Sequence, residues 1–445
     1  MKIAPLIRSL ALVTAVALVP ATTAGLAQVE GRAAPEFGKL FSIYQRIKSN
    51  YVEPVDDEVL IKGAIDGMLA ALDPHSAYLD GESFQRINTL IDGSYEGLGI
   101  SVGMEDGAVK VISPMRGSPA EEAGVKAGDF ITHLDGELIY GLTLDEAVEQ
   151  MRGPAGTSID LTIFRSGRGE PVDVTVTRGE ITLEPVLHEL HDGKIGVISV
   201  NEFSANVGRY VSESVSDLTR ENGGALNGII LDLRRNPGGS LDEAIEMSDL
   251  FLDEGAIVSQ RGRVRSENIT FDAETVVPGD IARGVPLIVL IDVGSASASE
   301  IVAGALQDHN RALIMGERSF GKGSVQSLMP LSRDTALKLT TARYFTPSGR
   351  SVQEGGIEPD IRVPQLSDPD AARRERFAVR ESDLRRHLVN EINYDDQELE
   401  VDRVDDPRFQ ATAEELEEQG IDDFQLHYAL QTLRRGSGAA FASSQ

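Results

Sequence analysis

The sequence predicts a multidomain α/β protein, and three observations carry that reading. The chain has 445 residues, beyond the size at which a single hydrophobic core keeps growing. Residues 93–178 fall into short segments that alternate apolar and polar positions, the period of half-buried strands. Residues 194–363 instead alternate apolar strands with helical patterns, the signature of a layered α/β domain. With 41% hydrophobic and 25% charged residues the composition is globular, which excludes wholesale disorder.

The elements follow in chain order. Lys2 and Arg8 precede an apolar run from Leu10 to Pro20, and Ala21, Ala24, Gly25 and Ala27 come next, so residues 1–27 read as a secretory signal peptide cut after Ala27. A retained anchor is the alternative, although the run is shorter than the roughly 20 apolar residues that span a bilayer. Either way the chain is expected to be exported to the periplasm or cell envelope, in the second case still attached to the membrane. Across residues 34–90, Leu40, Ile43, Tyr44 and Ile47, then Leu60, Ile65, Met68 and Leu72, recur at mostly three- and four-residue spacing, which predicts an N-terminal helical domain. Asp73-Pro74 ends one of its helices, because proline disfavours helical geometry in the residue before it. Residues 91–182 form the strand-rich module, interrupted by a short helix with Ser118 as N-cap and Gly124 as stop, and by a second over residues 143–151. Residues 183–365 are the α/β core, with strands at 195–200, 228–233 and 285–293 and helices at 208–221, 241–252 and 298–308. The acidic region 366–445 carries helical pieces near 380–390, 412–419 and 422–433. Amphipathic helices on both sides of the core suit contacts with a second copy or an adaptor protein.

Charge and cysteine usage remove several functions. Lys plus Arg is 42 and Asp plus Glu is 71, so the net charge is −29, and phosphate backbones repel such a molecule. Nucleic acid is therefore not expected as a partner. No cysteine is present, which excludes disulfides, thiol nucleophiles, thiolate metal sites and a lipid anchor at the cleavage point. No His, Asp or Glu spacing resembles a zinc site. Neither a metal nor an organic cofactor is expected.

The candidate chemistry sits where the apolar run 287–291 meets Gly294-Ser295-Ala296-Ser297-Ala298-Ser299-Glu300. A serine at such a corner can face the N-terminus of the following helix, where backbone N–H groups favour the negative oxygen of a tetrahedral intermediate. The same residues fit a capping box, S-x-x-E, in which Ser297 only satisfies backbone donors. Ser295 and Ser299 are further alternatives. Lys322 follows within Phe320-Gly321-Lys322-Gly323-Ser324-Val325-Gln326; a buried lysine can act as a base, and flanking glycines let the backbone approach closely. The run from Gly316 to Lys322 also matches the start of a phosphate loop, but Gly323 stands where Ser or Thr is needed and no helix pattern follows. The seven histidines are scattered and Asp308 lies too far along its helix to reach Ser297. Asn236-Pro237-Gly238-Gly239 completes the set, a glycine turn after a buried strand.

Taken together, these motifs and Ala342 to Arg350 resemble the carboxyl-terminal processing (tail-specific) serine proteases, and Gly67 to Ser76 is similar to that family's N-terminal domain. The resemblance implies a Clp-protease/crotonase-like core, with Ser297 as nucleophile, Lys322 as general base and Gln326 orienting the lysine. It places the oxyanion donors at Gly238 or Gly239 and at Ala298. It identifies the strand-rich module as a PDZ domain, with Gly97, Leu98, Gly99 and Ile100 in its carboxylate-binding loop and Gly117 to Gly124 at its central helix. Arg165 or Arg168 is then expected to touch the protease domain on opening. The implied activity is ATP-independent endoproteolysis of unstructured or misfolded envelope proteins, recognised by their C-terminal tails, in a homo-oligomer. An inactive PDZ scaffold or holdase is the rival reading, and a nucleotide-driven motor a second.

Overall fold

The computed structural model describes residues 23–81, 83–84, 87, 94–105, 108–115, 118–126, 128–140, 144–165, 171–182, 185–191, 194–273, 279–367, 380–390, 409 and 411–435. The chain divides into two compact units, residues 1–68 and 69–445. In the first, helix α1 (Thr23–Asn50) precedes α2 (Asp57–Ala70). Asp57 and Glu58 in the first turn of α2 favour its start through the helix dipole, and Asp57 also accepts from Tyr44 (2.6 Å) and pairs with Lys48 (2.6 Å). The apolar run of the expected signal peptide lies outside the described residues, and the expected cut after Ala27 falls within α1. No helix among the described residues is long and apolar enough to cross a membrane.

The second unit opens with β1 (Ala77–Leu79), so the end of the region that the sequence suggests is helical is extended. The strand-rich module comes next: β2 (Ser94–Gly97), β3 (Ile100–Glu105), β4 (Ala108–Pro114), α3 (Pro119–Glu122), β5 (Phe130–Leu134), β6 (Glu137–Leu138), α4 (Leu144–Met151), β7 (Ser158–Phe164), β8 (Val172–Thr177) and β9 (Gly179–Thr182). Its sheet runs β3-β4-β5-β7-β8 with β3 at an edge, and β2 pairs with β9. Inward residues Val109, Val111, Ile131, Ile159, Leu161 and Ile163 fill its own core. Ser118 caps α3 as the sequence suggests, accepting from the N–H of Glu121 at 3.3 Å.

The α/β core contains β10 (Val186–His191), β11 (Ile195–Val200), α5 (Val207–Glu221), β12 (Gly228–Asp232), α6 (Leu241–Asp249), β13 (Ala256–Gly262), β14 (Ile269–Asp272), β15 (Leu287–Ile291), α7 (Ala298–Asp308), β16 (Leu313–Gly316), β17 (Ser324–Pro330), β18 (Ala336–Phe345) and β19 (Ile361–Arg362). One sheet has the order β10-β11-β12-β15-β16-β19 and is parallel from β11 onward. All of β15 is buried, as expected of a parallel strand covered on both faces. One face packs on α5, α6 and α7. The other is covered by residues of α9 (Phe424–Arg434), which follows α8 (Ala413–Glu418). The second sheet joins β17 to β18, and β18 in turn to both β1 and β13, with β14 beyond β13.

One expected helix is absent. Over residues 380–390 only Glu381–Asp383 forms a 3₁₀ turn. Two features stop a helix there: Arg386 has φ 62°, and the side chains are drawn to distant partners, His75 to Glu381 at 2.8 Å and His387 to Glu354 at 2.7 Å.

Candidate active site

β15 delivers the chain to a corner at which Ser297 adopts φ 55° and ψ −110° before α7 begins. A β-carbon residue in this region is strained, and such strain concentrates at functional sites. What holds it is local bonding: the Ser297 N–H donates to Glu300 Oε2 at 2.7 Å, and its carbonyl accepts from the N–H groups of Glu300 and Ile301. The Ser297 side chain makes no cap hydrogen bond. Only the Glu300 half of the S-x-x-E box is therefore formed, because the Ser297 carbonyl has taken the donor that a capping hydroxyl would use. Its neighbours are spent. Ser295 Oγ donates to the Leu233 carbonyl at 2.8 Å and Ser299 Oγ to the Asn236 carbonyl at 2.9 Å, both fully buried. Of the three serines, Ser297 alone keeps an uncommitted, partly exposed hydroxyl.

The glycine turn after β12 lies against this corner. A β-carbon on Gly238 would come within 2.8 Å of Ser297 Cβ and 3.0 Å of Ala298 N, and one on Gly239 within 2.3 Å of the Phe203 carbonyl. With φ of 101° and 149° as well, only glycine fits either position. The two N–H groups differ. That of Gly238 donates to Asn236 Oδ1 at 2.9 Å, whereas those of Gly239 and Ala298 have no acceptor among the described residues. Asn236, fully buried, fixes the turn to β11 through the Val200 carbonyl (2.8 Å) and to the serine corner through its own carbonyl, which accepts from Ala296 N (3.0 Å).

Glu300 joins the serine to the lysine loop. Its fully buried carboxyl group accepts from Ser319 Oγ (2.6 Å) and Gly321 N (2.7 Å) on one oxygen, and from Ser297 N (2.7 Å) and Lys322 N (3.0 Å) on the other. Burial pushes this carboxyl up to about 7, against the four donated bonds that hold it down. The S-x-x-E spacing marks Glu300 as a cap partner, but its contacts to residues 319–322 are invisible locally. Gly321 and Gly323 let that loop press against the backbone of Glu354 and Gln353, where β-carbons would meet atoms at 2.6 and 2.4 Å. Lys322 makes no side-chain hydrogen bond or ion pair with the described residues. Burial lowers the pKa of its ammonium group and the nearby Lys338 cation adds to this, with Glu381 and Glu300 opposing.

Gln326, which the resemblance gives as the residue that orients the lysine, is fixed through its amide nitrogen. Its amide nitrogen donates to Ser324 Oγ (2.9 Å) and Thr340 Oγ1 (3.4 Å), which leaves Oε1 as the atom that can face Lys322. Thr340 in turn donates to Asp73 at 3.1 Å, and Asp73 also accepts from Ser76 Oγ (2.8 Å) and from the N–H groups of His75 and Ser76 (both 2.8 Å). The residues before β1 thus frame the lysine loop, a role the sequence shows only as a helix stop.

The remaining candidates separate cleanly. None of the seven histidines bonds Ser297 among the described residues. Asp308 accepts from Ser348 N at 2.9 Å at the far end of α7. Lys322 leads into strand β17, where a phosphate loop needs a helix. In the strand-rich module Leu98 and Gly99 lie between β2 and β3 with N–H groups that have no acceptor among the described residues, flanked by Gly97 and Ile100 in those strands. Arg165 is held by Asp129 at 2.7 Å and the Gly124 carbonyl at 2.9 Å; Arg168 and Gly117 lie outside the described residues.

An α/β core that presents one free serine at a strained corner, fused to a strand-edge module, is the architecture of a multidomain serine-type protease. Comparison with known proteins makes this specific. The profile of peptidase family S41 matches residues 194–363, that of a PDZ domain residues 110–165, and that of the activating protease CtpB N-terminal domain residues 18–83. A carboxy-terminal-processing protease of Bartonella bacilliformis is 45% identical over 354 residues, 79% of this chain and 80% of that one. Carboxy-terminal processing protease CtpA of Bacillus subtilis is 36% identical over 331 residues, 74% of this chain and 69% of that one. Among solved structures, the photosystem II D1 C-terminal processing protease is 28% identical, with a TM-score of 0.43, over 73% of this chain and 86% of that one. The chain belongs to the carboxy-terminal-processing serine proteases of peptidase family S41.

Proposed function

We propose that this protease works through a Ser-Lys dyad, Ser297 and Lys322, on the tails of unstructured proteins in the cell envelope. The observation that supports this most is the Glu300 carboxyl group, one oxygen of which holds the backbones of both residues. Neutral Lys322, favoured by burial, takes the proton as Ser297 Oγ attacks the scissile carbonyl carbon. The resulting oxyanion receives the unused N–H groups of Gly239 and Ala298. Gly238 packs the turn but has its N–H committed to Asn236, so it lines the pocket without donating. Collapse breaks the C–N bond, and the Lys322 ammonium gives its proton to the leaving amine. Water, deprotonated by the same lysine, then hydrolyses the acyl ester and restores Ser297. Gln326, fixed by Ser324 and Thr340, offers Oε1 to the lysine.

The PDZ module is the recognition element in this reading. β3 is an edge strand, and the free N–H groups of Leu98 and Gly99 stand at its beginning, which suits a C-terminal tail added as a further strand with its carboxylate on the loop. No nucleotide enters the scheme. Export by the N-terminal segment and assembly with a second copy or an adaptor through the terminal helices complete the proposal.

The experiment is digestion of an unfolded protein with an apolar C-terminus by the wild type, Ser297→Ala and Lys322→Ala, with and without ATP. Both variants are expected to fold and to lose about 10⁴-fold or more in rate, and ATP to change nothing. Full activity in Ser297→Ala would sink the mechanism. Tight binding of the protein without cleavage by any variant would establish the scaffold instead.

A further inference from the structure

The lysine loop is closed on one side by the segment that follows the core. Glu381, fully buried at the start of its 3₁₀ turn, meets the loop twice. Its N–H donates to the Phe320 carbonyl at 3.2 Å. Its carboxylate accepts from Gln353 Nε2 at 2.9 Å, and Gln353 Oε1 accepts in turn from the Gly323 N–H at 3.1 Å. Residues 320 and 323 are thus both fixed from Glu381, one directly and one through an amide, with Lys322 between them.

The same carboxylate receives His75 Nε2, which lies 3.0 and 2.8 Å from its two oxygens. The His75 N–H donates to Asp73, which also accepts from Thr340, whose hydroxyl accepts from Gln326. One path of hydrogen bonds therefore leaves the chain at Gly323 and returns to it at Gln326, with Glu381 in its middle. The side-chain partners of Glu381 are an imidazole and an amide, and no lysine or arginine among the described residues bonds it. Burying a carboxylate without such a partner is costly. Its charge acts on Lys322, whose own side chain makes no bond with the described residues. Lys322 is also faced by the Lys338 cation and by the Glu300 carboxyl from α7, and Glu381 acts as well on the His387 imidazole, which Glu354 holds. Glu381 lies beyond the residues 194–363 that match the peptidase profile, so the core alone lacks this group.

We propose that Glu381 is a positioning residue for the cleavage reaction, holding the Lys322 loop and supplying the counter-charge for the ammonium that forms when Lys322 takes the Ser297 proton; this rests on the Ser-Lys reading above. As Ser297 Oγ bonds to the scissile carbonyl carbon, its proton passes to Lys322 Nζ and a positive charge appears in a largely buried place. A fixed carboxylate nearby lowers the cost of that charge. The proton then leaves with the amine, and Glu381 ends the step unchanged.

The test reads the lysine itself. In the Ser297→Ala background, the rate at which acetic anhydride acylates Lys322 is followed against pH by peptide mass spectrometry, with and without Glu381→Gln. Removing the carboxylate charge is expected to move the midpoint to lower pH, because the ammonium loses its counter-charge. A purely structural loss acts the other way, since a loosened loop exposes Lys322 to water and moves the midpoint up. With Ser297 in place, Glu381→Gln is expected to lower kcat about tenfold with KM little changed. Glu381→Asp, which keeps the charge, is expected to hold the midpoint and recover part of kcat. Should the single variant not fold, Glu381→Gln with His75→Gln replaces the pair by two amides that can bond each other, and the same shift is expected. A midpoint that stays or rises, or a kcat equal to that of the wild type, overturns the assignment. Failure of the dyad is a separate result, since it appears as cleavage by Lys322→Ala and not in the acylation midpoint.

Discussion

Glu300 is a carboxyl group on which burial and hydrogen bonding act in opposite directions, and its four donors are only satisfied by the ionised form. With its pKa pushed up to about 7, kcat/KM should rise with pH through neutrality, and Glu300→Gln should remove that limb and lower kcat by about 10²-fold. The stability effect has the opposite sign. A carboxyl whose folded pKa is raised stabilises the fold below its ordinary value near 4.5 and loses that contribution as pH climbs through about 7, so urea midpoints of wild type and Glu300→Gln should diverge across that window. Lys322 shows the cost of burying a cation: on the proposed mechanism Lys322→Met should abolish cleavage yet raise stability by about 1 kcal/mol, read from thermal unfolding. At this scale the sequence exposes spacing but not commitment. It offers Ser295, Ser297 and Ser299 equally, and only the fold shows that the outer two bond to carbonyls of a different strand connection, 62 and 63 residues away.

Among the elements, α9 is tied to the turn that carries Gly238 and Gly239. Arg234, at the end of β12, is held by Asp232 (2.6 Å), by Asp423 (2.7 Å) and by Gln425 (3.0 Å). Burial works to raise the Asp423 carboxyl, but the bonds from Arg234 prevail and hold it at about 2. Stability from this pair is present above the ordinary carboxylate range and lost as pH falls through about 2. Asp423→Asn should destabilise by about 1–2 kcal/mol, allowing for partial exposure, and lower kcat with KM little changed, because the turn it steadies aims the Gly239 N–H. The segment 380–390 is linked differently. Burial lowers the His387 imidazole, but the Leu384 carbonyl and Glu354 outweigh it, so the net shift is upward. Its contribution is full below the ordinary histidine value and vanishes as pH rises through the shifted one, so hydrogen exchange at residues 384–390 should accelerate on that rise, and not in His387→Ala. The helix at 424–434 was legible because it buries an apolar stripe of Ala429, Leu430 and Leu433, whereas the one at 413–418 buries Leu416 alone and is marked by its Thr412–Glu415 capping box. Periodicity failed at 380–390, where buried polar side chains, not an apolar face, dictate the path.

For the whole molecule, the order of a helical region, a PDZ module and an α/β core was legible, since each has its own hydrophobic period. Pairing across that order was not: nothing near residues 77–79 indicates a partner at residues 336–338. Phe37, Phe41 and Ile43 are 62%, 63% and 56% exposed on α1, and if they meet a second copy, Phe37→Asp with Phe41→Asp should reduce the mass measured by light scattering to that of one chain. The bonds from Thr340 to Asp73 and from His75 to Glu381 connect residues 267 and 306 positions apart. Contacts of such sequence separation form late, after the local structure of each domain. On the ribosome, a chain that has already emerged past Ser297 and Lys322 still lacks Thr340 and Glu381. On the mechanism proposed above, its lysine loop stays unframed until those residues have been made, so a chain truncated before Thr340 should fail to cleave an unfolded protein.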